Sequence, residues 1–397
     1  MAGLAALDPP YEDEHRMLNA PGCQARRDRL FAALPLPCDL LVVGDPAHLV
    51  YFANYVPSPF EFRSAESGAV LVLEPGKATL VGDNLIQPFL DKAHVDAVVA
   101  PTWYDGSKPT APRQVQLVAS TLAALAKIPG QRVGIELSGV PAGVVEGLKA
   151  ARPGVEIVDN GPLIRPLRRA KDADEVATLK RAMLAGEAAH AAALARMRPG
   201  MTELDAYLLV QDAAMQALGE RAIVYGDFAS GPRTWTDKGG PPTLRKIEAG
   251  DLLLLDFSVI VDGYRSDFTN TFAVGGGPTP EQRRLFDACV EALVAGESKL
   301  KAGTVGREVD QAVREHFRSL GLLEHFPHHT GHGIGLGHPE PPYFVPGSDE
   351  VLVVGDVVTI EPGLYIEGVG GIRVERDYLI TAEGFETLSN HQIRIDQ

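Results

Sequence analysis

Residues 250–267, GDLLLLDFSVIVDGYRSD, set a Gly-Asp turn before an apolar run and place acids at Asp256 and Asp267. The pattern returns at residues 355–361, GDVVTIE, where Glu361 stands five positions past Asp356 as Asp256 does past Asp251. A further acid follows each run, Asp267 after the first and Glu375 after the second. Such runs read as strands. Asp262-Gly263 is a strong two-residue hairpin turn, because both central positions favour positive φ. With 261 paired to 264, residue 256 faces 269 and 258 faces 267, so Asp256 and Asp267 become diagonal neighbours on one face, roughly 7 Å apart or less. The second hairpin turns within residues 367–371, and an odd-length loop there puts Glu361 and Glu375 on a common face. The apolar runs 252–255 and 357–360 belong in a core, where unpaired carboxylates are costly. Four acids so placed point to a metal centre rather than to solvated edge charge.

Between the hairpins, residues 328–338, HHTGHGIGLGH, combine imidazoles with glycines that let backbone approach a site closely. Alone this stretch reads as a loop; beside two acid hairpins it supplies candidate ligands. The stretches LLLLDFSVIVDGYRSD, HHTGHGIGLGH, TIEPGLY and GGIRVERD together resemble the motifs of the pita-bread metallopeptidases. That group includes prolidase, aminopeptidase P and methionine aminopeptidase, with creatinase as a metal-free relative, and the resemblance covers roughly residue 164 to the C-terminus. It implies Asp256, Asp267, His332, Glu361 and Glu375 as ligands of a dinuclear centre. In that pattern Asp267 and Glu375 bridge, Asp256 serves one ion, and His332 with Glu361 serves the other. All five are present, unlike in relatives that have lost metal ligands.

An oxygen-rich set with a single imidazole favours two divalent ions of the Mn or Co type, with Zn or Fe as alternatives. Bridging carboxylates hold such ions close, so a shared water would ionise near neutral pH and attack as a hydroxide. The resemblance gives Glu361 the proton relay from that water to the departing amine. Arg373 shares a strand face with Glu375 and is a candidate partner for it; His328 is a further candidate neighbour of the site.

Two departures from the family pattern stand out. Prolidase and aminopeptidase P usually carry a second histidine after the Gly-His-Gly motif in a segment resembling Val-His-Glu; here the run is Gly337-His338-Pro339-Glu340, one residue shorter, and His338 is the candidate. Relatives of the prolidase and aminopeptidase P type also carry a histidine shortly before the first metal Asp. No histidine occurs here between His190 and His316, and residues 234–243, TWTDKGGPPT, occupy the place. Tyr225, Trp235 and Lys238 are the candidates to replace it.

The rest of the chain frames this centre. Short β-rich runs at 40–43, 70–73, 78–81, 95–99, 133–137 and 155–158 alternate with helical segments such as 113–127, which predicts an α/β domain over residues 1–163. Residues 164–171 form a basic connector into a long amphipathic helix from Asp172, on whose apolar face His190 packs. The remainder, residues 164–397, repeats itself: RPGMT at 198–202 and KAGT at 301–304 each precede a helix, to about Leu218 and Leu320, and each leads on to one acid hairpin. That predicts a duplicated helix-helix-hairpin fold with the metal centre where the two hairpins meet. An N-terminal α/β domain is similar to that of the prolidase, aminopeptidase P and creatinase branch, in which it caps the cleft and usually joins a homodimer.

With 397 residues, 45% hydrophobic and 22% charged, the chain is globular, and a formal charge of -15 speaks against nucleic acid or an anionic membrane as partner. Cys23, Cys38 and Cys289, odd in number and far apart, fit free thiols in a reducing compartment. Asp8, Glu12, Asp13 and Glu14 make the N-terminus too acidic for a signal peptide, so a cytoplasmic protein is expected. The expected activity is hydrolysis of Xaa-Pro dipeptides, with Arg63 as a candidate anchor for the substrate carboxylate. The alternatives are aminopeptidase P action on longer peptides, hydrolysis of a non-peptide amidine or cyclic amide, and a non-catalytic peptide-binding module.

Overall fold

The computed structural model describes residues 18–56 and 68–397; Arg63 lies outside them. Contacts divide the chain into two compact units, with the boundary between Arg168 and Arg169.

In the first unit, strands β1 (Leu40–Val43), β2 (Val70–Glu74), β3 (Lys77–Val81), β4 (Ala97–Val99), β5 (Arg132–Ile135) and β6 (Glu156–Asp159) form one sheet in the order β4-β3-β2-β1-β5-β6. β1, β5 and β6 run parallel, as do β3 and β4, while β2 is antiparallel to both its neighbours. All of β1, LLVV, is buried, as a continuous apolar run in a central strand requires. The helices are α1 (Ala20–Ala32), α2 (Pro46–Ala53), α3 (Gln87–Leu90), α4 (Arg113–Leu125), α5 (Ala142–Ala151) and α6 (Gly161–Leu167). Asn19 caps α1 by accepting from Gly22 N, and Asp45 caps α2 by accepting from Ala47 N with Pro46 in the first turn. Part of the expected connector, residues 164–167, is the end of α6.

The second unit opens on α7 (Ala173–Arg196), whose Asp172 and Glu175 form a reciprocal capping box. Next come α8 (Glu203–Leu218), β7 (Ile223–Ser230), α9 (Arg233–Thr236), β8 (Leu252–Val261), β9 (Tyr264–Arg265) and β10 (Phe268–Ala273). α10 (Pro280–Glu297) and α11 (Gly306–Ser319) then lead to β11 (Gly331–Gly333), β12 (Glu340–Phe344) and β13 (Val357–Ile360). β14 (Gly363–Ile366), β15 (Gly370–Arg373), β16 (Arg376–Ile380) and β17 (Phe385–Thr387) follow. These strands form sheets of order β10-β8-β7, with β9 paired to β8, and β12-β11-β13-β16-β17, and the two-stranded sheet β14-β15.

The duplication is visible bond by bond. Gly200 N donates to Ile247 O and Gly303 N to Leu352 O, both at 2.8 Å; Ile247 N returns to Met201 O and Leu352 N to Thr304 O, again at 2.8 Å. Single bridges Thr202↔Lys246 and Val305↔Val351 sit at matching places. Each half buries its own core. Helices α7 and α8 cover Leu253, Leu255, Phe257 and Val259 of β8, and α10 and α11 cover Val358 and Ile360 of β13. Gly186 lets α7 lie against β10, since a Cβ there would come within 2.1 Å of the Phe268 ring. Among the described residues, no helix is long and apolar enough to cross a membrane.

Candidate metal centre

One register runs through the first acid hairpin. Val261 pairs with Tyr264, Ser266 N donates to Val259 O at 3.1 Å, and Asp256 pairs with Thr269, as the turn at Asp262-Gly263 predicts. Asp262 has φ +50° and Gly263 +86°, the backbone such a turn needs. Asp267 stands in the break between β9 and β10. In the second hairpin Ile360 pairs with Arg376 and Gly363 with Arg373, leaving a loop of residues 367–369 and placing Glu361 and Glu375 in the break between the two paired stretches. The hairpins are tied together at this point: Glu375 N donates to Thr269 O at 3.0 Å, and Thr269 Oγ1 donates to Glu375 Oε2 at 2.6 Å. Thr269 is the ladder partner of Asp256, so this pair of bonds draws the acids of both halves to one place.

Asp256, Asp267 and Glu375 each offer an oxygen within 4.8 Å of the others. Two further groups share members with them, Asp267 with His332 and His338, and His329 with His332 and Glu361. His332 Nδ1 lies 3.0 Å from Gly333 O, which keeps the proton on that nitrogen and turns Nε2 toward Asp267 (3.7 Å) and Glu361 (3.4 Å). His338 Nε2 is 2.8 Å from Asp267 Oδ2, and His329 Nε2 is 2.8 Å from Glu361 Oε1.

Arg373 goes elsewhere than expected. Its guanidinium pairs with Asp256 and, at 2.9 Å, with Asp227, while Nη1 donates to Tyr365 Oη at 2.9 Å. Glu375 is not among its partners, because Arg373 lies on β15 and Glu375 beyond the strand's end, in the break. Tyr365 passes the chain on: its hydroxyl lies 3.0 Å from His328 Nε2, and His328 Nδ1 is 2.8 Å from His329 O. Burial lowers His328 to about 4, so the ring is neutral and its Nε2 accepts. Asp227 belongs to the cluster although it lies outside the quoted motifs, whereas Tyr365 and His329 lie within them without having been assigned a role. Asp227 had one legible signal, its position on the strand preceding the first hairpin; in the ladder it faces Asp256 directly.

Asp227 also meets residues 234–243, the segment that stands where a histidine was expected. Residues 234–243 fold back so that Gly240 N donates to Asp227 Oδ1 at 2.8 Å. Gly239 has φ +146°, and a Cβ on it would meet Asp227 Oδ2 at 2.0 Å, so only glycine fits beside that carboxylate. Tyr225 is 69% exposed, and Lys238 offers Arg373 its backbone oxygen at 3.3 Å.

The donor set fits divalent cations. Burial and the charges of Asp267, Glu361, Asp256 and Asp377 push Glu375 well above the carboxylate range. Burial likewise lifts Asp256 to about 7 against the opposing charge of Arg373. Glu361 moves the other way: burial opposes its ionisation, but the hydrogen bond and the charge of His329 hold it below the usual range. Glu375 Oε1 has no hydrogen-bond partner among the described residues. Buried like charges with an unused oxygen are what a cation site needs, and carboxylate-rich donors suit hard or borderline ions. In the first unit, Asp45, His48 and Glu136 also cluster, but there protein donors fill the lone pairs. Glu136 Oε2 accepts from Gly44 N and Asp45 N at 2.9 Å, Oε1 meets His48 Nδ1, and Arg168 Nη1 is 3.0 Å from His48 Nε2.

A duplicated fold converging on such a cluster defines a metallohydrolase. Residues 177–382 match the model of metallopeptidase family M24, and residues 32–170 match the creatinase/prolidase N-terminal domain. The chain belongs to metallopeptidase family M24; it is a peptidase of pita-bread fold. An uncharacterized peptidase of Bacillus subtilis is 32% identical over 266 residues, covering 66% of this chain and 73% of the relative. The structure of an Xaa-Pro dipeptidase from Bacillus anthracis is similar with TM-score 0.79 and 27% identity, over 96% of this chain and 100% of that one. A prolidase from Pyrococcus horikoshii is similar with TM-score 0.76 and 26% identity, over 95% and 99%.

Proposed function

We propose that this chain is a dinuclear metallopeptidase that hydrolyses Xaa-Pro dipeptides. The observation that carries the reading is the overlap of three ligand groups through Asp267 and His332. Two ions side by side need ligands that serve both; in this reading Asp267 and Glu375 would be shared between them, Asp256 would hold one, and His332 with Glu361 would hold the other. Bound there, Mn or Co ions would supply Lewis acidity to polarise the scissile carbonyl and acidify water. Glu361, kept ionised by His329, takes a proton from the attacking water and returns it to the proline nitrogen as that leaves. His338 is exposed on its loop and presents a donor to the carbonyl oxygen as negative charge develops there. Arg373 acts through Asp256, fixing its orientation and neutralising surplus charge. The likeness to an Xaa-Pro dipeptidase and a prolidase over nearly the whole chain supports the dipeptide as substrate. A homodimer in the cytoplasm is part of the same reading.

The test assays Mn- and Co-loaded enzyme side by side on Xaa-Pro dipeptides and Xaa-Pro-Yaa tripeptides. Dipeptides are expected to be cleaved much faster. Faster tripeptide cleavage would make the enzyme an aminopeptidase P, and metal-replete protein inactive on both would shift the reading to a non-peptide amide or amidine.

A further inference from the structure

We infer that Arg265 anchors the free carboxylate of the substrate, an assignment that rests on the Xaa-Pro reading. Asp256 and Ser258 alternate along β8 and so share its metal-facing side. Over Ser258 Oγ lies the Arg265 guanidinium, with Nε at 3.3 Å and Nη2 at 3.2 Å. The Arg265 backbone N donates to Gly335 O at 3.1 Å, which fastens β9 to the glycine-rich loop that carries His338. Arg265 is thus held beside the cluster, and its charge acts on Asp267, Asp256 and His338.

What distinguishes it is the partner it has. Among the described residues Arg265 makes no ion pair; its side-chain hydrogen bonds go to one neutral serine hydroxyl. Arg373, the other arginine at the site, has both terminal nitrogens engaged by Asp256, Asp227, Tyr365 and Lys238 O. A guanidinium has five N–H donors in a fork that matches a carboxylate. Arg265 therefore has donors to spare for an incoming anion in a site otherwise crowded with acids, where a substrate carboxylate needs a local cation.

The reach fits a dipeptide. Two residues of strand separate Ser258 from Asp256 by about 7 Å. The carboxylate of a dipeptide lies one residue, roughly 3.5 Å, beyond the scissile carbonyl, and a charge-assisted hydrogen bond adds about 2.8 Å. A tripeptide moves its carboxylate roughly another 3.5 Å outward, past the guanidinium. On this side access is open: Tyr225, the ladder neighbour of Ser258, is 69% exposed.

The experiment compares metal-loaded full-length wild type, Arg265→Met and Arg265→Lys on Ala-Pro and on its neutral C-terminal amide. Arg265→Met is expected to lose roughly tenfold to hundredfold in kcat/KM on Ala-Pro, chiefly through KM, as loss of a charge-assisted contact predicts. The amide should change by no more than about threefold, in keeping with an uncharged end that gains little from a guanidinium. Arg265→Lys should recover part of the loss, since a lysine keeps the charge but not the fork. Metal content and melting temperature should match wild type in both variants. Equal losses on acid and amide, an unchanged KM for Ala-Pro, or a wild type indifferent to the carboxylate would each overturn the assignment while leaving the Xaa-Pro reading intact. Wild-type protein inactive on both substrates would remove that reading, and the assignment with it.

Discussion

Each acid of the centre has a different environment, and the differences divide the work. Glu361 is stabilised as a carboxylate by His329, whereas Glu375 is surrounded by other acids and keeps Oε1 unpaired. His338 differs again: it reaches Asp267 from an exposed loop, so its removal need not unravel the buried ligands. Replacing His338 with Ala is expected to lower kcat by about a hundredfold, the usual scale for a positioned donor to a developing oxyanion. Metal content should stay at the wild-type level. Loss of an ion in that variant would instead make His338 a ligand, an outcome its place beside Asp267 and His332 makes worth measuring.

At the level of elements, α7 packs on β8 through a buried histidine. His190 stacks on Phe257 at 5.4 Å between ring centroids and lies 5.0 Å from the ring of His391. Burial lowers His190 to about 4, with a Leu255 backbone group opposing it, and His391 is lowered in the same direction by burial and by His190. The folded state therefore prefers the neutral ring. Between the ordinary value of 6.5 and about 4 the unfolded chain binds the proton more readily, so stability is full above this window and falls as pH drops through it. The shift is worth on the order of 3 kcal/mol for a fully buried group. Urea unfolding of wild type and His190→Leu across pH 4 to 7 should show the variant losing stability less steeply in this window. Parallel slopes would mean the ring is already protonated, or hydrated, inside the fold.

On the scale of the whole molecule, each half of the catalytic unit contributes acids to a single centre. The folded state without cations holds those like charges together, and bound ions remove that penalty. Purified protein reconstituted with Mn is expected to bind two ions per chain and to melt higher than chelated protein. Each site adds about 2.7 kcal/mol when free ion stands at 100 times its dissociation constant. His332→Ala should lose chiefly one ion if, as proposed, one site alone takes the imidazole and Asp267 and Glu375 serve both. Elemental analysis and thermal melts of the two proteins decide this; a stoichiometry of zero in wild type would leave a peptide-binding module as the better reading.

The amino-acid sequence by itself determined the hairpin register, since Asp262-Gly263 permits one tight turn and the period of two then places Asp256 opposite Thr269. It also determined the duplication and the α/β character of residues before the connector, because apolar period and turn residues are local properties. Partnerships across the fold were not legible. Arg373 meets Asp256 and Asp227 rather than Glu375 because β7 and β8, both distant in sequence from β15, converge on its guanidinium. Gly239 makes room for a carboxylate of β7, a contact visible only once residues 234–243 fold back. Strand periodicity is written in neighbouring residues, whereas the partner of a long charged side chain is chosen by whichever groups the finished fold brings within about 3 Å of it.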